Sequence, residues 1–160
     1  MLFNDINVLK KFGCKGFLTI NELIINPRQI PDESGIYFIL YIKKEKPVFL
    51  EIGTGGYFKG KNPNVSIDLL KVNWIENSMV IYIGKTGSLN SRIRQLLRFG
   101  QGKNVGHYGG RLIWQIKDHQ NLVVCWKTEN SPKTVELELL NQFETTYGKL
   151  PFANLQRGSG

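Results

Sequence analysis

The apolar positions along the chain keep two rhythms. Dense runs of β-branched and aromatic residues mark strands, most clearly SGIYFILYI (34–42), SMVIYIG (78–84) and NLVVCWKT (121–128). RLIWQI (111–116) fits a further strand, and VFLEIG (48–53) another, after the turn KKEKP. Helical spacing marks the second rhythm. Leu89, Ile93, Leu96 and Leu97 fall at i, i+4, i+7 and i+8, one apolar stripe. Arg92 lies on one flank of that stripe, with Arg94 and Arg98 on the other, and Ser88 or Asn90 is placed to cap the helix. Ser131-Pro132 predicts a helix start with Ser131 as N-cap, and Gly148 with Pro151 beyond it predicts the stop, after Tyr147. Thr19 and Glu22 form a capping box for a short helix over 20–25. SIDLLKVNWI (66–75) fits either a short helix or a strand.

Between these elements lie glycine-rich loops, at 53–65 and from Gly100 through Gly110. The first contains a GxGG fragment without the GK[ST] ending of a phosphate-binding loop, so it reads as a turn or hairpin tip. There is no internal repeat. The order strand, strand, helix, strands, helix predicts a small α+β domain.

Composition narrows the partner class. At 160 residues and 41% hydrophobic, the chain fits one domain, 1–160, with its own core. Its two cysteines, Cys14 and Cys125, are far apart and in no CxxC spacing, which fits a reducing compartment; Cys125, inside LVVCW, reads as core. The first residues carry charge and lack a signal-peptide core, and no run approaches the ~18 apolar residues of a membrane span. The expectation is a cytoplasmic protein without a membrane partner. The net charge is +8, and no acidic residue occurs between Asn77 and Lys117. That window holds Lys85, Arg92, Arg94, Arg98, Lys103, Arg111 and Lys117. A one-sign field of this kind attracts a polyanion, although it also fits a solubilising basic face.

One carboxylate stands out by geometry. With ~100° per residue, Glu136, Leu140, Phe143 and Tyr147 share the apolar face of the last helix, whereas Glu138 points toward solvent. A carboxylate on a buried stripe is costly unless a cation or hydrogen bonds satisfy it.

SGIYFIL followed by VIYIGKT resembles the GIY-YIG nuclease family, over roughly residues 34–156. Arg92 stands ten residues after Tyr82, at the family's arginine position; Glu136-Leu-Glu-Leu139-Leu140 with Phe143 matches its glutamate helix; Asn154 in LPFANLQ matches its closing asparagine. Two departures accompany the match. The 44 residues 38–81 separate the two motif tyrosines, so about 43–77 reads as an insertion that keeps the two strands paired. Leu96 stands where many members carry a His or Tyr, and His107 is the secondary candidate for a similar imidazole. Residues 1–30 form an N-terminal extension outside the resemblance.

The resemblance implies a central, mostly antiparallel three-stranded sheet flanked by helices, and a metal-dependent DNA endonuclease. In that reading Tyr37 is the base with Tyr82 its neighbour, Arg92 clamps the phosphate, Glu136 binds a single Mg²⁺ (or Mn²⁺), and Asn154 positions the strand or local backbone. No organic cofactor is implied. Lys85, Arg94, Arg98, Lys103 and Arg111 are the candidate nucleic-acid contacts. An ordinary tyrosine, with a pKa of ~10, is a poor base at neutral pH, so Arg92, Lys85 or the metal would have to lower it. The same residues admit plainer readings: tyrosines as strand aromatics, Arg92 as a solvated helix charge, Asn154 as a turn residue. A non-catalytic nucleic-acid-binding module that keeps the fold is the alternative function, and a basic scaffold is a third. No helix-turn-helix or zinc finger is appended, which leaves target choice to the domain, its insertion or a partner.

Overall fold

The computed structural model describes residues 3–157. Its centre is the strand Gly35–Leu40 (β2), buried along its whole length. One edge of β2 pairs antiparallel with Val80–Thr86 (β3), Tyr37 opposite Gly84 and Ile39 opposite Tyr82. The long segment between them leaves and returns without breaking that pairing. The other edge pairs antiparallel with Val123–Thr128 (β4). The three-stranded expectation needs one correction. The N-terminal extension forms a helix, Ile6–Phe12 (α1), and a strand, Lys15–Thr19 (β1), that pairs antiparallel with β4. Among the described residues the sheet therefore has four strands, in the order β1-β4-β2-β3. β1 escapes sequence reading because its period-2 pattern is broken: the register shifts between Gly16 and Leu18, and Phe17 sits at φ 55°.

Strand alternation divides the core into two layers. Ile36, Phe38 and Leu40 pack with Leu139, Leu140 and Phe143 of the helix Pro132–Tyr147 (α5). Tyr37, Ile39 and Tyr41 face the opposite way, into a cluster with Leu89, Ile93, Leu96 and Leu97 of the helix Leu89–Gly100 (α4). The apolar stripe read from the sequence is thus the one that α4 buries. Ser88 caps α4 through the Ser91 N–H, and the capping box at Thr19 opens the helix Ile20–Ile25 (α2). At α5 the start and the Gly148 stop are as expected, but the Ser131 side chain makes no capping bond; its carbonyl accepts from the Val135 N–H at 3.2 Å.

Inside the insertion, Ile67–Asn73 (α3) resolves the helix-or-strand ambiguity in favour of a helix, capped by Ser66. Two expected strands are absent. VFLEIG contributes one isolated bridge, Phe49 to Ile116, and Arg111 to Gln115 of RLIWQI belong to a 3₁₀ segment, Tyr108–Gln115. Gln115 explains both. Its side chain accepts from the Val65 N–H (2.9 Å) and donates to the Leu50 and Val65 carbonyls (3.0 and 2.9 Å). A single buried amide thus satisfies insertion backbone that a strand ladder would otherwise have to pair. Leu112, Ile113 and Trp114 are all buried in succession, which an alternating strand with one wet face does not allow. Among the described residues no helix is long and apolar enough to cross a membrane.

Candidate active site

The register of β2 against β3 builds the site. Tyr37 lies opposite Gly84, and its ring folds down over that glycine. A Cβ at position 84 would stand 2.3 Å from Tyr37 Cζ and 2.6 Å from its hydroxyl, so the close approach requires glycine there. Tyr82, on the same face of the sheet, has its ring centroid 6.0 Å from that of Tyr37. The loop after α4 then brings in His107. Its Nε2 is 2.7 Å from the Tyr37 hydroxyl, and its ring lies 5.6 Å from Tyr82, centroid to centroid. Tyr37 and His107 are each 1% exposed. The secondary histidine candidate is thus at the centre of the cluster, drawn from 70 residues along the chain.

Arg92, on the first turns of α4, is half-buried and donates to Gln95 Oε1 at 2.9 Å. Its guanidinium acts on both buried partners. Burial, followed by the Arg92 charge, lowers the His107 imidazole to about 3, so it is neutral at physiological pH. Burial, followed by Tyr82, raises Tyr37 well above an ordinary phenol, while Arg92 pulls the other way. Desolvation outweighs Arg92, so the lowering that a base at Tyr37 requires does not come from Arg92 alone.

Glu136 and Lys85 belong to the other face of β3. Strand alternation turns Ile83 and Lys85 toward α5, while Tyr82 and Gly84 face α4. Glu136 is 1% exposed on α5, and neither of its carboxylate oxygens has a hydrogen-bond partner among the described residues. Burial raises its carboxyl to about 7, against a smaller opposing pull from Lys85. Glu138 is exposed, as its helix position predicts. A cleft of about 480 Å³ is lined by Lys85, Thr86 and Arg92 on one side and Ser131, Lys133 and Thr134 at the start of α5 on the other, and so reaches the Arg92 and Lys85 side chains but not Tyr37, His107 or Glu136.

Asn154 is a clamp. Its Oδ1 accepts from the Ile83 N–H at 2.9 Å and its Nδ2 donates to the Ile83 carbonyl at 2.8 Å. The Ala153 N–H reaches the Ile81 carbonyl at 2.8 Å. Together these bonds occupy the outer edge of β3 as a further strand would, and fix the strand that carries Tyr82 and Gly84.

Arg94 and Arg98 lie beside Leu23, Ile24 and Pro27, apart from the cleft that Arg92 lines. Arg94, Arg98 and Lys103 are exposed, and Lys85 is half-buried. Arg111 is half-buried, with its guanidinium 4.1 Å from the Tyr108 ring centroid. Cys125 is buried in the core. The His107–Tyr37 contact has only a faint sequence signal: a histidine among glycines (Gly106, Gly109, Gly110), where the chain can fold tightly under the sheet.

A cation fits at Glu136 on one ground, its two orphaned and buried oxygens. Among the described residues no group of three or more His, Cys, Asp and Glu side chains comes together that could hold a metal ion. No family model matches the chain, and neither does any curated protein or solved structure in comparison.

Proposed function

We propose that the chain is a metal-dependent DNA endonuclease of GIY-YIG type, with a small antiparallel domain of that kind as its core. The observation that carries this reading is the meeting of Tyr37, Tyr82, His107 and Arg92 at one point, the last three drawn from the 77–117 stretch, which is basic and contains no acidic residue. Strand aromatics packed for stability alone do not need a buried hydroxyl bonded to a buried imidazole beside a guanidinium.

In this reading the Tyr37 hydroxyl takes a proton from the attacking water and passes its own to His107 Nε2. This assigns the resting proton of His107 to Nδ1, leaving Nε2 to accept from the phenol at 2.7 Å. A neutral imidazole is required for that, and burial with Arg92 keeps His107 neutral. Substrate then alters the balance. Once Arg92 pairs with a phosphate, its charge no longer holds His107 down, and the imidazole becomes a better proton acceptor. Arg92 also supplies the fork of donors that suits a phosphate. Asn154 keeps β3 in register so that Gly84 remains under the Tyr37 ring. Glu136 is the residue that would hold Mg²⁺ or Mn²⁺, which when bound supplies positive charge for the departing oxygen. Lys85, Arg94, Arg98, Lys103 and Arg111 contact backbone phosphates.

A second reading, the nucleic-acid-binding module without cleavage, draws on one observation. Tyr37 is both deeply buried and shifted away from ionisation. Incubation with duplex, branched and single-stranded DNA, in Mg²⁺ or Mn²⁺ and then with EDTA, separates the two. The nuclease reading expects EDTA-sensitive cleavage of at least one substrate. Salt-dependent binding with no cleavage of any substrate would replace it with the second reading.

A further inference from the structure

The insertion between the two motif strands carries cations that neither tyrosine motif accounts for. No acidic residue lies between Glu51 and Asp68, and none between Asn77 and Lys117. The fold brings these two acid-free stretches together. The Gly56 N–H donates to the Phe99 carbonyl at 2.8 Å, the Lys59 N–H to Asn104 Oδ1 at 3.2 Å, and the Tyr108 hydroxyl to the Asn62 carbonyl at 3.1 Å. The loop approaches so closely that a Cβ on Gly56 would stand 2.1 Å from the Lys103 carbonyl oxygen.

The loop is also closed on itself. The Gly53 N–H donates to Asn64 Oδ1 at 2.8 Å, and the Asn64 N–H to Asn62 Oδ1 at 2.9 Å. Lys59 adopts the left-handed conformation at φ 54°, which a side-chain-bearing residue holds only where its surroundings impose it. Two insertion cations are presented at the tip, Lys59 and Lys61, both exposed. The Lys61 ammonium lies 5.4 Å from the Tyr108 ring centroid, and the Arg111 guanidinium 4.1 Å from the same ring. Tyr108 directly follows His107, whose imidazole holds the Tyr37 hydroxyl. Lys61 is therefore joined to the catalytic cluster through a single ring, while the Lys59 ammonium lies 5.3 Å from the Phe58 ring centroid beside it.

We infer that the 53–65 loop is a phosphate-gripping arm, with Lys59 and Lys61 contacting the backbone of the DNA duplex that flanks the cleaved bond. This inference rests on the nuclease reading for its partner. A preformed loop presents its cations without the ordering cost that mobile lysines would incur, and phosphate neutralisation is what such a loop contributes to binding. An acidic protein partner is less favoured, because the two stretches that meet here, 52–67 and 77–117, carry cations and no carboxylate, as a polyanion's backbone requires.

The test compares Lys59→Gln/Lys61→Gln with Lys44→Gln/Lys46→Gln. The second pair removes the same charge from the same insertion, but at a cleft shared with Glu76 and Asn77 beyond the end of β2. Binding to a duplex of about 30 base pairs, roughly three helical turns, is followed by fluorescence anisotropy across a salt series. The slope of log Kobs against log[salt] should become shallower by up to ~1.8 for the 59/61 variant, ~0.9 per lost phosphate contact, and stay at the wild-type value for the 44/46 variant. Lys61→Gln alone should give about half the change, which keeps the test valid if the strained position 59 tolerates substitution poorly. Equal slopes for the two double variants, whether both unchanged or both shallower, would overturn the arm while leaving the nuclease reading intact. Wild-type protein that binds DNA at no salt concentration would bring down both.

Discussion

Replacing Glu136 by Gln removes a buried charge that the metal-free fold holds without a hydrogen-bond partner among the described residues, offset only in part by Lys85. The carboxyl titrates near 4.5 when solvated and near 7 in the fold, and that gap corresponds to about 3 kcal/mol at pH values above both. Below 4.5 the folded and unfolded chains both carry the proton, so the charge costs nothing. As pH rises from 4.5 to 7 only the unfolded chain releases it, and wild-type stability falls relative to the variant. Above 7 the full penalty stands. Glu136→Gln should therefore stabilise the metal-free protein at pH 8 by up to about 3 kcal/mol, or roughly 6–12 °C in Tm for a domain of this size, and the gain should vanish near pH 4. Mg²⁺ or Mn²⁺ should raise the Tm of wild type and leave that of the variant unmoved, because a neutral amide is a weak ligand for a hard cation. Glu138→Gln, on the exposed face, should change stability by no more than ~0.5 kcal/mol and keep the metal response. Thermal melts of the three proteins from pH 4 to 8, with and without metal, provide the comparison. A pH-independent difference between wild type and Glu136→Gln, or a metal response that survives in Glu136→Gln and is lost in Glu138→Gln, would refute the assignment.

Three further outcomes follow from the same geometry. Asn154→Ala should cost about 1–3 kcal/mol in urea denaturation, since it strands the buried Ile83 N–H and carbonyl; a smaller loss would mean that β3 does not depend on the clamp. Gly84→Ala should push the Tyr37 ring off the strand at a cost of about 1–3 kcal/mol and reduce cleavage more than DNA binding; unchanged cleavage would show that the ring position is not critical. Arg94→Gln with Arg98→Gln should flatten the salt slope of DNA binding by up to ~1.8 without altering the melting profile, and a wild-type slope would remove both residues from the interface.

How far the fold and site were legible depended on whether a residue sits in a periodic element. The α4 stripe and the inward turn of Glu136 follow from a 3.6-residue repeat, which the packed helices preserve. The pairing of β2 with β3 follows from two dense apolar runs and survives a long insertion. β1 was hidden by a bulge with Phe17 in a left-handed conformation. RLIWQI has strand composition, yet its backbone turns because the Gln115 amide takes over pairing that another strand would have supplied. His107 is the most instructive residue at the site. Loop positions carry no periodicity, so nothing in its spacing ties it to Tyr37; only the three-dimensional course of the chain does. The direction of the Tyr37 shift was equally invisible, since it depends on burial weighed against Arg92.

The Tyr37 hydroxyl carries the proposed reaction, and single-turnover cleavage by Tyr37→Phe measures its contribution. The variant keeps the ring over Gly84 and loses one oxygen, so folding and DNA affinity should remain close to wild type. The cleavage rate should fall by ~10²-fold or more, the usual effect of removing a positioned proton-transfer group. A variant that binds DNA as wild type does and cleaves it within about twofold of the wild-type rate would contradict the account, and reduce Tyr37 to a packing residue.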